Sequence, residues 1–222
     1  MLTVSHHGHA VESDLTAGRL ACPGCRGVLR PWGWARDRRV RHGGSGAGYQ
    51  LKRHRPRRAR CAGCAGTHVL LGMELASRRA DAAAVIAEAI ELKTTTGAGH
   101  RSIAARLGRP VSTVRGWLRA FGASADSIRE AFTLLLHRDG ADAASLWPAP
   151  AATSAGQALS AVAAYAEVLT DRLAIATLVW HSAGLAVAGP GFFSTGRWAP
   201  GSQHQLTLPP RHAGGNSGES AG

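Results

Sequence analysis

Four cysteines stand in two pairs, Cys22-Pro23-Gly24-Cys25 and Cys61-Ala62-Gly63-Cys64, with 35 residues between them. A C-x2-C pair on a tight turn presents two thiolates to one ion, and two such knuckles complete a tetrahedral four-sulfur site suited to zinc. Cys22, Cys25, Cys61 and Cys64 are therefore the expected ligands of one Zn²⁺. Four thiolates leave no coordination position for water, so this zinc is expected to be structural and not catalytic. His68 follows Cys64 by four residues and is the weaker competing ligand. The other reading, a thioredoxin-like redox pair, needs a strand before and a helix after the cysteines, and no βαβ pattern surrounds either pair.

The second chemistry-bearing group is charge. The chain has 222 residues, 26 Lys and Arg, 14 Asp and Glu, and a formal net charge of +12. Residues 26–60 hold twelve of the basic side chains and one acid, Asp37, so nearly all of the excess lies between the cysteine pairs. Such a patch attracts polyanions, nucleic acid first. Arg38, Arg39, Arg41, Arg53, Arg55, Arg57 and Arg58 are the expected phosphate contacts on two arms of a hairpin. The glycine-rich run 43–48 would be its flexible tip.

The third group lies in residues 100–121. Ile103 and Leu107 are one helical turn apart, Ala104 is small where two helices would cross, and Gly108 suits a helix stop. Val114, Trp117 and Leu118 then form the buried side of a second helix. Val111, Ser112, Thr113, Arg115, Gly116 and Arg119 are left outward near its start, with Arg106 and Arg109 beside them. This is the pattern of a helix-turn-helix whose second helix enters a major groove. Ser112, Thr113 and Arg115 would reach bases, and Arg119 a phosphate. The plain alternative is a helical hairpin in a core.

These groups need positioning. The sequence predicts an α+β fold: a small β zinc ribbon with a basic hairpin over 20–72, then a mainly helical helix-turn-helix domain over 80–138. A helical segment over 155–188 follows. Residues 1–19, with His6, His7 and His9, read as a flexible leader, and 189–222, rich in Gly, Ser and Pro, as a disordered tail. Asp81 is the expected cap of a first helix with Val85, Ile86, Ala89 and Ile90 on one face, ended at Thr94-Thr95-Thr96-Gly97. Helices are expected over about 101–107, 111–121 and 127–137, and a helix or helix pair from Gln157 to His181. The longest apolar stretch, Leu173 to Gly189, is interrupted by polar residues and falls short of the ~20 residues that span a membrane. The start of the chain has no basic region followed by an apolar run, so the expected location is cytoplasmic, at the nucleoid.

The cysteine pairs, the run Arg57-Arg58-Ala59-Arg60-Cys61 and the segment Ile103 to Arg119 together resemble a poorly characterised actinobacterial family. That family joins a transposase-type zinc ribbon to a helix-turn-helix. The resemblance covers residues 20–121 and, loosely, 122–188. It implies sequence-specific binding of double-stranded DNA in transposition, with a separately encoded transposase as a further partner. Gly72 departs from the pattern where proline is expected, and Arg109 where an apolar residue is. A stand-alone transcriptional regulator and an RNA- or ribosome-binding ribbon are the alternatives. A nuclease or transposase would need carboxylates that hold two metal ions. The fourteen acids are scattered, so no catalytic activity is expected.

Overall fold

The computed structural model describes residues 1–4, 9–43, 48–140 and 150–194. The fold is α+β, with six strands and six helices among these residues. A four-stranded sheet has the order β1-β6-β5-β2, from β1 (Leu2–Val4), β2 (Leu29–Trp34), β5 (Arg57–Cys61) and β6 (Thr67–Gly72). β1 lies parallel to β6, while β2–β5 and β5–β6 are antiparallel. A separate hairpin pairs β3 (Arg38–His42) with β4 (Gln50–His54), Val40 opposite Lys52.

The expected leader is instead part of the sheet end. Leu2 and Val4 alternate inward on β1, and Val11 and Leu15 lie one turn apart on α1 (His9–Thr16). All four are buried with Leu29, Ala59, Leu70 and the cysteines Cys22 and Cys61. The ribbon strands alone offer few large apolar side chains, and these residues close that core. The leader residues 5–8 and the hairpin tip residues 44–47 lie outside the described residues, so His6, His7 and most of the glycine run have no structural account.

The helical part begins with α2 (Ala83–Thr96) and α3 (His100–Leu107). Both end on left-handed glycines, Gly97 and Gly108, as their sequence suggests. The three threonines lie inside α2, their hydroxyls returning to the carbonyls of Ile90, Glu91 and Leu92. Asp81 does not cap α2: Ala82 occupies that position without a side-chain bond.

α4 (Val111–Gly140) is one helix where two are expected. No proline interrupts Gly122-Ala123-Ser124-Ala125-Asp126, and Ala125 and Ile128 carry the buried stripe onward to Phe132 and Leu136. α5 (Ser154–Leu173) packs along it, and α6 (Trp180–Ala188) closes the bundle. At the end of α4, Asp139 accepts from Tyr165 Oη at 2.7 Å and pairs with Arg138 at 2.6 Å. The expected tail also begins differently. Phe192 and Phe193 are buried, Phe192 against Gly184, and the loop at 77–79 holds this segment through Ser77 N–H to Pro190 O and Arg79 to Phe193 O. Residues 141–149 and 195–222 lie outside the described residues.

Candidate metal centre and basic surface

The two knuckles are one local sequence used twice, Cys-Pro-Gly-Cys-Arg-Gly over 22–27 and Cys-Ala-Gly-Cys-Ala-Gly over 61–66. In each, the residue after the second cysteine is left-handed: Arg26 at φ 63° and Ala65 at φ 58°. In each, the first cysteine donates to the last glycine's carbonyl, Cys22 to Gly27 at 2.7 Å and Cys61 to Gly66 at 2.9 Å. The first cysteine is buried and the second exposed in both. Gly27 is required by space as well: a Cβ there would sit 2.9 Å from Cys61 Sγ and 3.3 Å from Cys25 Sγ.

The four Sγ atoms lie within 4.8 Å of one another. Cys22 and Cys64 approach to 3.7 Å, and Cys25 and Cys61 to 3.4 Å. A tetrahedral ion with metal–sulfur bonds of about 2.3 Å spaces its sulfurs by about 3.8 Å. Donor type and spacing therefore fit one metal ion, and four soft ligands in this arrangement suit zinc. The thiols are not equivalent: against the Gly27 amide, the neighbouring Cys61 and Cys64 push the Cys25 thiol up to about 11. The amide of Cys64, against the opposing effect of burial, brings the Cys61 thiol down to about 6, helped by Cys25 Sγ and the Gly63 amide. His68 is placed beside the ligands, its Nε2 3.4 Å from Cys22 Sγ.

The basic residues divide sharply. Arg109 is a correction to its expected role: its side chain is 1% exposed. It donates from Nε to Asp81 Oδ1 at 2.5 Å and from Nη1 to the carbonyls of Leu107 and Gly108. Its remaining reach is toward the hairpin, Nη2 to Gly43 O at 3.4 Å and Cζ 4.9 Å from the Tyr49 ring centre. The helix-turn-helix pattern favours an apolar residue at this position, and an unpaired arginine would have to stay outside. A buried carboxylate 28 residues away reverses that, since each charge satisfies the other. Asp81 also pairs with Arg41 at 3.1 Å, and the backbone of Arg41 is bonded to Ala80 and Ala82.

Arg38, Arg41 and Arg57 are likewise committed within the fold. Arg38 donates to the carbonyls of Ala76 and Arg79, and Arg57 lies 2.5 Å from Glu12 Oε1 and donates to Gly33 O. Arg53 and Arg55 both face Asp37 but remain 75% and 64% exposed. Arg39 is exposed and pairs across the hairpin with Arg53; Arg58 is half-buried. Beside the turn, Arg106 is exposed and 3.6 Å from Glu88. At the start of α4, Ser112, Arg115 and Arg119 are exposed, Val111 and Thr113 half-buried, and Val114 and Trp117 fully inside. Arg115 Nη2 is 3.2 Å from His100 Nε2.

Gly116, expected on the outward side of this helix, is half-buried there. It falls on the same stripe as Ser112, Arg115 and Arg119, and a Cβ there would meet nothing within 4 Å. No helix among the described residues is long and apolar enough to cross a membrane. No family model matches the chain, no curated protein matches it, and no solved structure does.

Proposed function

We propose that the chain is a sequence-specific binder of double-stranded DNA that performs no catalytic step of its own, with one structural zinc on Cys22, Cys25, Cys61 and Cys64. The observation that carries the reading is the two-sided start of α4. Val114 and Trp117 are buried, while Ser112, Arg115, Gly116 and Arg119 form a polar stripe facing out. Residues 97–121 contain five arginines and no acid. Four of the five remain exposed. A rigid helix start with hydroxyl and guanidinium groups is the kind of element that reads base edges in a major groove.

The hairpin supports the same reading. Arg109 joins the α3–α4 turn to Gly43 and Tyr49, so the exposed Arg39 and Arg53 belong to a hairpin anchored beside α4. Arms that hold phosphates next to a helix that reads bases divide the work as protein–DNA surfaces commonly do. Within this reading the chain serves as the recognition component of a transposition system, with a separately encoded transposase supplying the chemistry.

The test is selection of binding sites from a random duplex library with zinc-loaded protein. A recovered consensus, lost when Arg115→Ala protein is used, supports the reading. Recovery of random sequence with native protein overturns it.

A further inference from the structure

The two knuckles share a local sequence but differ in what approaches their buried sulfurs. In the second, the backbone amides of Gly63 and Cys64 lie 3.3 and 3.5 Å from Cys61 Sγ. In the first, the nitrogen that reaches Cys22 Sγ is a side chain's, Nε2 of His68 at 3.4 Å. β6 places that ring. Side chains alternate along a strand, so His68 and Leu70 face the same way, and Leu70 belongs to the buried core that contains Cys22. In the register His68 stands opposite Ala59, on the strand that ends at Cys61. The ring's other nitrogen, Nδ1, is buried and has no hydrogen-bond partner among the described residues.

We propose that His68 is not a metal ligand but a positioning residue, which holds the Cys22 thiolate by donating its Nε2–H to Sγ. The role depends on the proposed four-cysteine zinc site. A histidine that binds metal through Nε2 carries its proton on Nδ1 and donates it to a carboxylate, a carbonyl or water. Here that N–H would be buried and unsatisfied, which is costly. With the proton on Nε2, the ring donates to an ionised sulfur, a charge-assisted bond, and Nδ1 keeps only a neutral lone pair. Four thiolates overcompensate the charge of a divalent ion. The exposed Cys25 and Cys64 can pass the excess to water, while Cys22, 1% exposed, needs a donor from the protein.

The full-length protein is loaded with zinc and, separately, with cobalt(II). His68→Leu keeps bulk without a donor. It should weaken zinc binding by roughly 10- to 100-fold in competition with a chromophoric chelator. Its cobalt d–d bands should keep the pattern of a four-sulfur tetrahedral centre. The sulfur-to-cobalt charge-transfer band should move to longer wavelength, because a thiolate without a donor gives up its electrons more readily. His68→Gln carries an N–H donor at about the same reach and should restore most of the affinity and of the band position. A histidine that only fills space would not move that band. Unchanged zinc affinity in His68→Leu, or native d–d bands of a centre with a nitrogen ligand that His68→Leu removes, overturns the positioning role while the metal site stands. Native protein that holds no metal overturns the four-cysteine reading itself, and the role of His68 with it.

Discussion

The sheet end and the helical bundle reach their folded state with very different resources. Among the described residues, the sheet-end core has nine buried members, and two of them, Cys22 and Cys61, are candidate metal ligands. The bundle core has 35, including Phe121, Phe132, Tyr165 and Trp180 in edge-on aromatic contact. Hydrophobic burial scales with apolar area, so the bundle can rely on it, and in the proposed reading an ion on the four cysteines supplies what the smaller sheet-end core does not. The difference teaches that the proposed metal would act on the ribbon's stability, while the helix proposed to read DNA stands on the part with its own large core. The basic hairpin lies between the two, with Val40 in the bundle core and Arg41 bonded to the segment entering α2.

The largest effect expected from this contrast is Cys61→Ser. It should release the metal and unfold the sheet end, because zinc binding in small modules contributes on the order of 10 kcal/mol. The bundle should keep its helical circular dichroism. Metal analysis together with the dichroism spectrum checks both halves, and loss of all helix would show that the two regions are one cooperative unit.

Asp81→Ala comes next. It strands Arg109, buried with its side chain 1% exposed, and removes the partner of Arg41. Breaking a buried ion pair on one side costs about 3–5 kcal/mol. Urea unfolding of the bundle should show that loss, and Asp81→Leu combined with Arg109→Met should recover a large part of it.

Acid should weaken the bundle. Burial brings His181 down to about 4 from its ordinary 6.5. The folded state prefers the neutral ring, so its stability is full above pH 6.5 and falls as pH drops toward 4. The loss is about 2–3 kcal/mol over that window. Melting temperatures at pH 7 and pH 4.5 should differ, and His181→Phe should narrow the difference.

Gly116→Ala gives the smallest change and the most pointed one. Alanine in a helix interior is favoured over glycine by about 1 kcal/mol, and here it meets open space. The variant should therefore be slightly more stable and yet bind duplex more weakly, because the added methyl stands where a base edge or phosphate approaches. Equal or tighter duplex binding would remove Gly116 from the contact surface.

What sequence could show here followed from how local the signal was. The cysteine knuckles and the glycine stops at Gly97 and Gly108 are set by neighbours a few residues away, and the structure places them accordingly. The leader depends on pairing Leu2 with Leu70, a partner no local pattern announces. Arg109 looked like a surface group because its counter-charge, Asp81, resembled a helix cap. Phe192 and Phe193 sit in a stretch rich in glycine and proline, which hid them. Yet they are two of only four phenylalanines in the chain, and an adjacent aromatic pair is a signal for burial. The joining of two predicted helices into α4 turns on Gly122, which lowers helix propensity without breaking the helix when the buried stripe continues past it.

The central claim is that α4 chooses the site while the hairpin only holds the DNA. It is tested by measuring affinity for a selected duplex and a random duplex, at several salt concentrations, for Arg115→Ala and for Arg39→Gln/Arg53→Gln. The account predicts that Arg115→Ala costs about 1–3 kcal/mol on the selected duplex and much less on the random one. The hairpin variant should weaken both equally and reduce the salt slope by roughly 0.9 for each lost phosphate contact. Loss of sequence preference in the hairpin variant, with preference kept in Arg115→Ala, would contradict it and make the hairpin the reader.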